Sequence, residues 1–284
     1  MAIIIDGKKV RDENLAQMKE EVALLNEKGV YPCLCVIIVG NDPASRVYVN
    51  NKKKACETVG IISREYALEE STTTEELLSL IDELNADDSV SGILCQMPVP
   101  KQIDSKAVLE RIDPSKDVDC FHPFNVGKLV QGENTMRPCT PAGMETLLDY
   151  MGVEIEGKTC VIIGRSDIVG KPMSLLMTNR NATVTLCHSK TRNLKDITSK
   201  ADILVASVGK PKFVTGDMVK EGAIVLDVGI NRDENGKLCG DCIFDECEKK
   251  ASMITPVPGG VGPMTITMLM RNTITAEKVR KKIN

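Results

Sequence analysis

The sequence predicts an α/β chain folded as two layered domains around mostly parallel sheets. Three observations carry this. The 284 residues are long for a single core. Up to about residue 95, short apolar runs alternate with amphipathic stretches, as strands joined by crossover helices do. From Lys158 the alternation restarts as strand, glycine-containing loop, helix, strand, helix, strand.

The elements follow in order. Ile3 to Ile5 is a short apolar strand. Val10 to Lys28 carries Val10, Leu15, Met18, Val22 and Leu25 at near-helical spacing and stops at Gly29. Leu34 to Val39 is a buried strand. The turn Gly40-Asn41-Asp42-Pro43 leads into a helix that Gly60 ends. Ile61, Ser63, Glu65 and Ala67 carry a weak strand pattern. The hydroxyls and acids of Ser71 to Glu76 open a helix whose apolar face is Leu77, Leu78, Ile81 and Leu84. Val90 to Cys95 is a further strand. The stretch from Asp113 to Pro123 reads as a long ordered loop, and Pro141 sits in the first turn of a helix running to Tyr150.

The second alternation has strands at Thr159 to Ile163, Thr183 to Cys187, Ile203 to Ser207 and Ala223 to Val228. Helices run from Pro172 to about Asn179 and from Leu194 to Lys200. Thr255 to Pro263 is too rich in Gly and Pro for a regular element and reads as a shaped loop. A helix from Met264 to Arg271 and a final basic helix to Asn284 complete the chain. The expected domains are 1–138 plus 268–284, and 139–267.

Composition excludes several classes. Apolar residues make up 42% and charged residues 27%, which suits a soluble globular protein. The net charge of −4 gives no nucleic-acid footprint, and 3% aromatics without Trp leaves no stacking platform for single strands. No apolar run reaches membrane-spanning length, and the N-terminus lacks the form of a signal peptide. The expectation is a cytoplasmic protein. Its 11 cysteines, odd in number and set in apolar segments, read as reduced buried thiols. Cys239 and Cys242, with Cys247 nearby, lack a matching ligand pair, so no metal site is expected.

Four stretches carry chemistry. On a helix, Tyr48 and Lys52 stand at i and i+4 on one face. A ring can hold a flat substrate, and a desolvated amine can move a proton. Alone, the stretch reads more simply as a lysine-rich solvated face. Gln96-Met97-Pro98-Val99-Pro100 is a stiff segment at a strand's carboxyl end, where open α/β sheets bind ligands. Gly164 to Pro172 joins a strand to a helix start, where free N–H groups and the helix dipole favour phosphate. The second strand of that unit ends in Ser189-Lys190 rather than an acid. With Arg165 in the first loop, this suits a 2′-phosphate and hence NADP.

Tyr48 to Cys56, Gln96 to Pro100, Asp117-Val118-Asp119, Gly164 to Pro172 and Pro258 to Pro263 together resemble the bifunctional methylenetetrahydrofolate dehydrogenase/methenyltetrahydrofolate cyclohydrolase family. The resemblance covers nearly the whole chain, with the motifs in order. It implies two αβα domains flanking a cleft, the second Rossmann-like and NADP-binding, in a homodimer. It implies NADP-dependent oxidation of 5,10-methylenetetrahydrofolate, then hydrolysis to 10-formyltetrahydrofolate. No formyltetrahydrofolate synthetase domain follows, so the short two-activity form is expected.

By position, the resemblance makes Tyr48 the residue that stacks on the folate and Lys52 the catalytic residue of the hydrolytic step. Gln96 tunes that lysine, and Asp119 holds the pterin's amino edge. Met97, Pro98 and Pro258-Gly259-Gly260-Val261-Gly262 line the substrate. Gly164, Arg165, Ser166, Ser189 and Ile230 contact the cofactor. Two residues depart from the family pattern. Cys120 replaces a glycine, and Asp167 puts an acid near the expected phosphate. Three other readings stand beside this one: a monofunctional dehydrogenase of the same family, a dehydrogenase of another small substrate such as a hydroxy acid, and a non-catalytic nucleotide sensor.

Overall fold

A computed structural model describes residues 1–133 and 135–283. The chain divides into two compact units. One comprises Met1–Asp12 and Thr140–Thr265, the other Glu13–Cys139 and Ile266–Asn284.

In chain order the elements begin with β1 (Ile3–Ile4), α1 (Gly7–Glu27), β2 (Cys33–Val39), α2 (Pro43–Val59), β3 (Ile62–Leu68), α3 (Thr74–Ala86) and β4 (Gly92–Cys95). Then come α4 (Ser105–Arg111), α5 (Pro123–Gln131), α6 (Cys139–Tyr150), β5 (Thr159–Ile163), α7 (Gly170–Asn179), β6 (Thr183–Cys187), α8 (Leu194–Thr198), β7 (Ile203–Ala206) and β8 (Ile224–Asp227). The chain closes with β9 (Asn231–Arg232), β10 (Leu238–Cys239), α9 (Phe244–Glu248), β11 (Met253–Ile254) and α10 (Val261–Arg280).

In the unit of Glu13–Cys139 and Ile266–Asn284, β3, β2 and β4 form a parallel sheet with β2 central. Every residue of β2 is buried, as expected of a strand covered on both faces. Its core joins Cys35, Ile37, Leu77, Ile81, Ile93 and Val108. Local chemistry sets the helix ends. Asp42 caps α2 by accepting from Ser45 N at 2.8 Å, and Gly60 closes it in the left-handed region at φ 89°. Thr73 and Glu76 form a reciprocal capping box at the start of α3.

The other unit holds a six-stranded parallel sheet, ordered β1-β11-β8-β7-β5-β6. The strand order reverses at β5, so its carboxyl end and that of β7 flank the switch point where such sheets bind ligands. The antiparallel pair β9–β10 lies outside this sheet.

Several expectations need correction. Residues 1–12 belong with Thr140–Thr265 rather than with the first domain. The cause is β1, which pairs in parallel with β11, Ile3 opposite Met253 and Ile4 opposite Ile254, while Ala2 and Ile5 are buried. Val261, Gly262 and Pro263 form the first turn of α10, not the end of a loop. Proline is tolerated in a first turn, where its missing N–H has no partner to lose. The two separate helices expected here are one, and the expected end at Asn284 lies outside the described residues. The expected loop from Asp113 to Pro123 has helices on both sides, α4 and α5, with His122 and Pro123 opening the second. Among the described residues, no helix is long and apolar enough to cross a membrane.

Candidate active site

Lys52 sits on α2, one turn beyond Tyr48. Its ammonium donates to Gln96 Oε1 at 2.6 Å. Gln96 follows β4 and extends the sheet, its N–H donating to Ile37 O at 2.8 Å. Its side-chain amide donates to Met97 O at 2.7 Å, which turns the oxygen toward Lys52. The next peptide, Met97–Pro98, is cis. These groups line a cavity of about 170 Å³ with Cys95, Asp117, Asp119 and Phe121. Tyr48, 44% exposed, and Pro98 are not among its lining residues.

Burial pushes the Lys52 ammonium below the ordinary lysine range, against the pull of the Asp119 carboxylate, which favours the charged form. Burial likewise pushes the Asp119 carboxyl upward, with Lys52 opposing. Gln96 satisfies the amine without adding a charge that would hold the proton on it. Burial thus moves this amine in the direction of its neutral, basic form, the direction that proton transfer by a lysine needs.

The turn carrying Asp119 is held from several sides. Lys116, buried, donates to the carbonyls of Leu84, Asn85 and Asp87 at 2.7–2.9 Å, capping the C-terminal end of α3. Asp117 accepts from His122 N at 2.8 Å and Asn125 Nδ2 at 2.9 Å. Asn272 of α10 donates to Val118 O and Arg137 O, both at 2.8 Å. The Cys139 thiol donates to Val118 O at 3.4 Å and Asp119 Oδ1 at 3.5 Å. Cys120, where the family pattern has glycine, stands at φ 61° and is buried. A side chain in this left-handed backbone costs roughly 1–2 kcal/mol. Lys116, Cys139 and Asn272 carry no sequence signal of this role, because it runs through backbone carbonyls and distant segments.

The second site lies at the carboxyl ends of β5 and β7. Gly164, Arg165, Ser166 and Ser189 line a pocket of about 530 Å³ with His188, Ser207, Val208 and Lys210. Gly164 has φ 123°, and a Cβ there would come within 2.1 Å of Ser207 O. A Cβ on Gly170 would lie 2.0 Å from Gly164 O. Both glycines are thus demanded by close backbone packing around the loop. Ser166 Oγ accepts from Val169 N and Gly170 N at the start of α7. Asp167 pairs with Lys171 and is largely exposed, so its charge is partnered away from the pocket lining. Lys210 is a second cation in the lining that the sequence reading did not single out. Ile230 is exposed and is not among the lining residues. A Cβ on Gly262 would meet its Cδ1 at 3.8 Å, so it stands beside the glycine-rich segment. In that segment Gly259 has φ 109°, and a Cβ on Gly7 would lie 1.8 Å from Gly260 O.

Residues 5–119 match the tetrahydrofolate dehydrogenase/cyclohydrolase catalytic domain, and residues 138–281 match the NAD(P)-binding domain of the same family. Bifunctional protein FolD of Agathobacter rectalis is 59% identical over 278 residues, covering 98% of this chain and all of the relative. The bifunctional FolD enzyme of Campylobacter jejuni superposes with a TM-score of 0.97 at 50% identity, covering 99% of this chain and 100% of the other. The Trypanosoma brucei enzyme, solved with NADP cofactor and inhibitor, gives 0.94 at 41% identity, covering 99% of each chain. The chain belongs to the tetrahydrofolate dehydrogenase/cyclohydrolase family.

Proposed function

We propose that the protein oxidises 5,10-methylenetetrahydrofolate to 5,10-methenyltetrahydrofolate with NADP⁺ and then hydrolyses the product to 10-formyltetrahydrofolate. The observation that carries the two-step reading is the Lys52–Gln96 hydrogen bond of 2.6 Å beside Asp119. A dehydrogenase alone has no use for a lysine biased toward neutrality by burial.

The nucleotide pocket fits NADP by its chemistry. Glycines permit close backbone approach at the switch point, and Arg165 and Lys210 supply cations for phosphate. When bound, NADP⁺ supplies the hydride acceptor. No strong base is needed for this step, because the lone pair of a folate nitrogen expels the hydride. The protein's contribution is positioning, which can supply roughly 7–11 kcal/mol of such a barrier. Tyr48 stacks on the folate, Asp119 binds the amino edge of the pterin, and Met97, Pro98 and Pro258 to Gly262 are further substrate contacts. Gly164, Arg165, Ser166, Ser189 and Ile230 are cofactor contacts.

In the second step, water attacks the methenyl carbon. Neutral Lys52 accepts a proton from it, and a proton returns to the ring nitrogen as the carbon–nitrogen bond opens. The cationic substrate itself favours neutral Lys52. The folate-binding catalytic domain is the unit containing Lys52 and Asp119, and the nucleotide-binding domain is the unit containing Gly164. The protein acts as a homodimer in the cytoplasm, without nucleic-acid or membrane partners.

The test is to mix the protein, methylenetetrahydrofolate and NADP⁺, following NADPH and the methenyl species by absorbance. The reading requires NADPH formation and onward loss of the methenyl signal. NADPH with a persistent methenyl signal would identify a dehydrogenase alone, and no change with NADP⁺ or NAD⁺ would refute both activities.

A further inference from the structure

The pocket wall at Ser207, Val208 and Lys210 is irregular, yet its backbone N–H groups are held from behind. Val208 N and Gly209 N donate to Asp241 Oδ2 at 2.6 and 3.1 Å, and Lys210 N donates to Oδ1 at 2.9 Å. Oδ1 also accepts from Asn231 Nδ2 at 2.8 Å. Asp241 has no solvent-exposed surface and does not line the pocket. It is held in turn by a second buried acid. Asp227, at the end of β8, accepts from Asp241 N, Cys242 N and Gly229 N, each at 2.9 Å. Asp227 N donates to Thr255 Oγ1 at 2.7 Å. The backbone wraps these acids closely. A Cβ on Gly229 would lie 2.4 Å from Asp241 N, and one on Gly240 would lie 1.9 Å from Asp227 Oδ2.

We infer that Asp241 is the positioning residue of the nucleotide site: by accepting three successive amides it gives residues 208–210 one conformation before the cofactor arrives. The inference rests on reading this pocket as the NADP site. A buried carboxylate accepting four N–H groups is a strong, directional anchor, and Asp227 fixes the main chain from which that anchor projects. The backbone that carries Ser207 and Lys210 is then set before the nucleotide binds, which removes the loop's share of the ordering cost and is the general source of affinity by preorganisation. Asp241 touches neither cofactor nor substrate. Its effect is confined to the nucleotide-dependent step.

The experiment compares wild-type enzyme with Asp241→Asn. The amide is nearly isosteric but presents N–H where an acceptor is needed. The expected result is a KM for NADP⁺ raised by about 10- to 100-fold, corresponding to one or two buried hydrogen bonds lost. At saturating NADP⁺ kcat stays near wild type, and hydrolysis of methenyltetrahydrofolate without nucleotide is unchanged. An unchanged KM for NADP⁺, or equal loss of both activities, overturns the inference. If circular dichroism shows the variant unfolded, amide hydrogen exchange on the wild type decides. The amides of Val208, Gly209 and Lys210 should be protected without NADP⁺ and change little on its addition. Exchange at open-loop rates until NADP⁺ is added overturns the inference. Wild-type enzyme that makes no NADPH would remove the functional reading, and this inference with it.

Discussion

Replacing Gln96 by glutamate puts a charge where the protein has a neutral acceptor, 2.6 Å from the Lys52 ammonium. At about 4 Å and an effective dielectric near 20, a unit pair is worth about 4 kcal/mol in favour of protonated lysine. Bringing the carboxylate out of water offsets part of this. If about half survives, the fraction of neutral Lys52 near pH 7 falls roughly 30-fold, at 1.36 kcal/mol per decade. The sign follows from the base role. In the proposed role Lys52 works only when neutral, so a raised pKa moves the rising limb of the cyclohydrolase pH–rate profile to higher pH. The second glutamate oxygen would also face Met97 O, to which the Gln96 amide now donates, so local geometry and the absolute rate change as well. The position of the limb, followed by loss of methenyl absorbance across pH, is therefore the decisive readout. Dehydrogenase turnover should change much less. A cyclohydrolase limb that stays in place while the rate falls would show that Gln96 does not set the charge state of Lys52.

Other consequences are open to measurement. Asp119→Asn should raise the KM for folate substrates by about 10- to 100-fold, as loss of a charge-assisted hydrogen bond does. It should also move the cyclohydrolase limb to lower pH, opposite to Gln96→Glu, because Asp119 is the charge that favours protonated Lys52. A limb that moves upward would contradict the electrostatics described for the pair. Arg165→Ala should raise the KM for NADP⁺ more than that for NAD⁺, and an equal rise would remove the 2′-phosphate assignment. Lys116→Met frees three carbonyls at the end of α3. A loss of about 2–4 kcal/mol in urea unfolding is expected; a loss under about 0.5 kcal/mol would show that water replaces the ammonium there.

The regular elements were legible where burial and punctuation agreed. Thr159–Ile163 and Thr183–Cys187 fall where the apolar runs placed them. Gly60 closes α2, and Thr73 with Glu76 opens α3, as their residue types dictate. The two-residue strands β1 and β11 were harder, since so short a strand is defined by its partner rather than its pattern. Ile3 looked like the start of the first domain, and only its pairing with Met253 moves it to the other. The start of α10 was hidden by its glycine and proline, which suit both a loop and a first helical turn.

At the sites, what could be read was chemistry exposed along one segment, such as Lys52 one turn from Tyr48, or Gly164 and Arg165 after a strand. What could not be read was support supplied across the chain. Asn272 reaches Val118 over 154 positions, and Asp241 binds Val208 through backbone amides. Neither interaction leaves a spacing in the sequence. Ile230, placed by resemblance rather than by pattern, is the one expected cofactor contact that stands apart from the pocket lining.

In the proposed mechanism Lys52 serves the hydrolytic step and not hydride transfer. The most direct measurement is Lys52→Met with both activities assayed on one folded preparation. Methenyltetrahydrofolate hydrolysis is expected to be abolished while NADPH formation partly survives and the methenyl product accumulates. Equal and complete loss of both activities, with the fold intact, would contradict this mechanism and leave Lys52 a binding residue only.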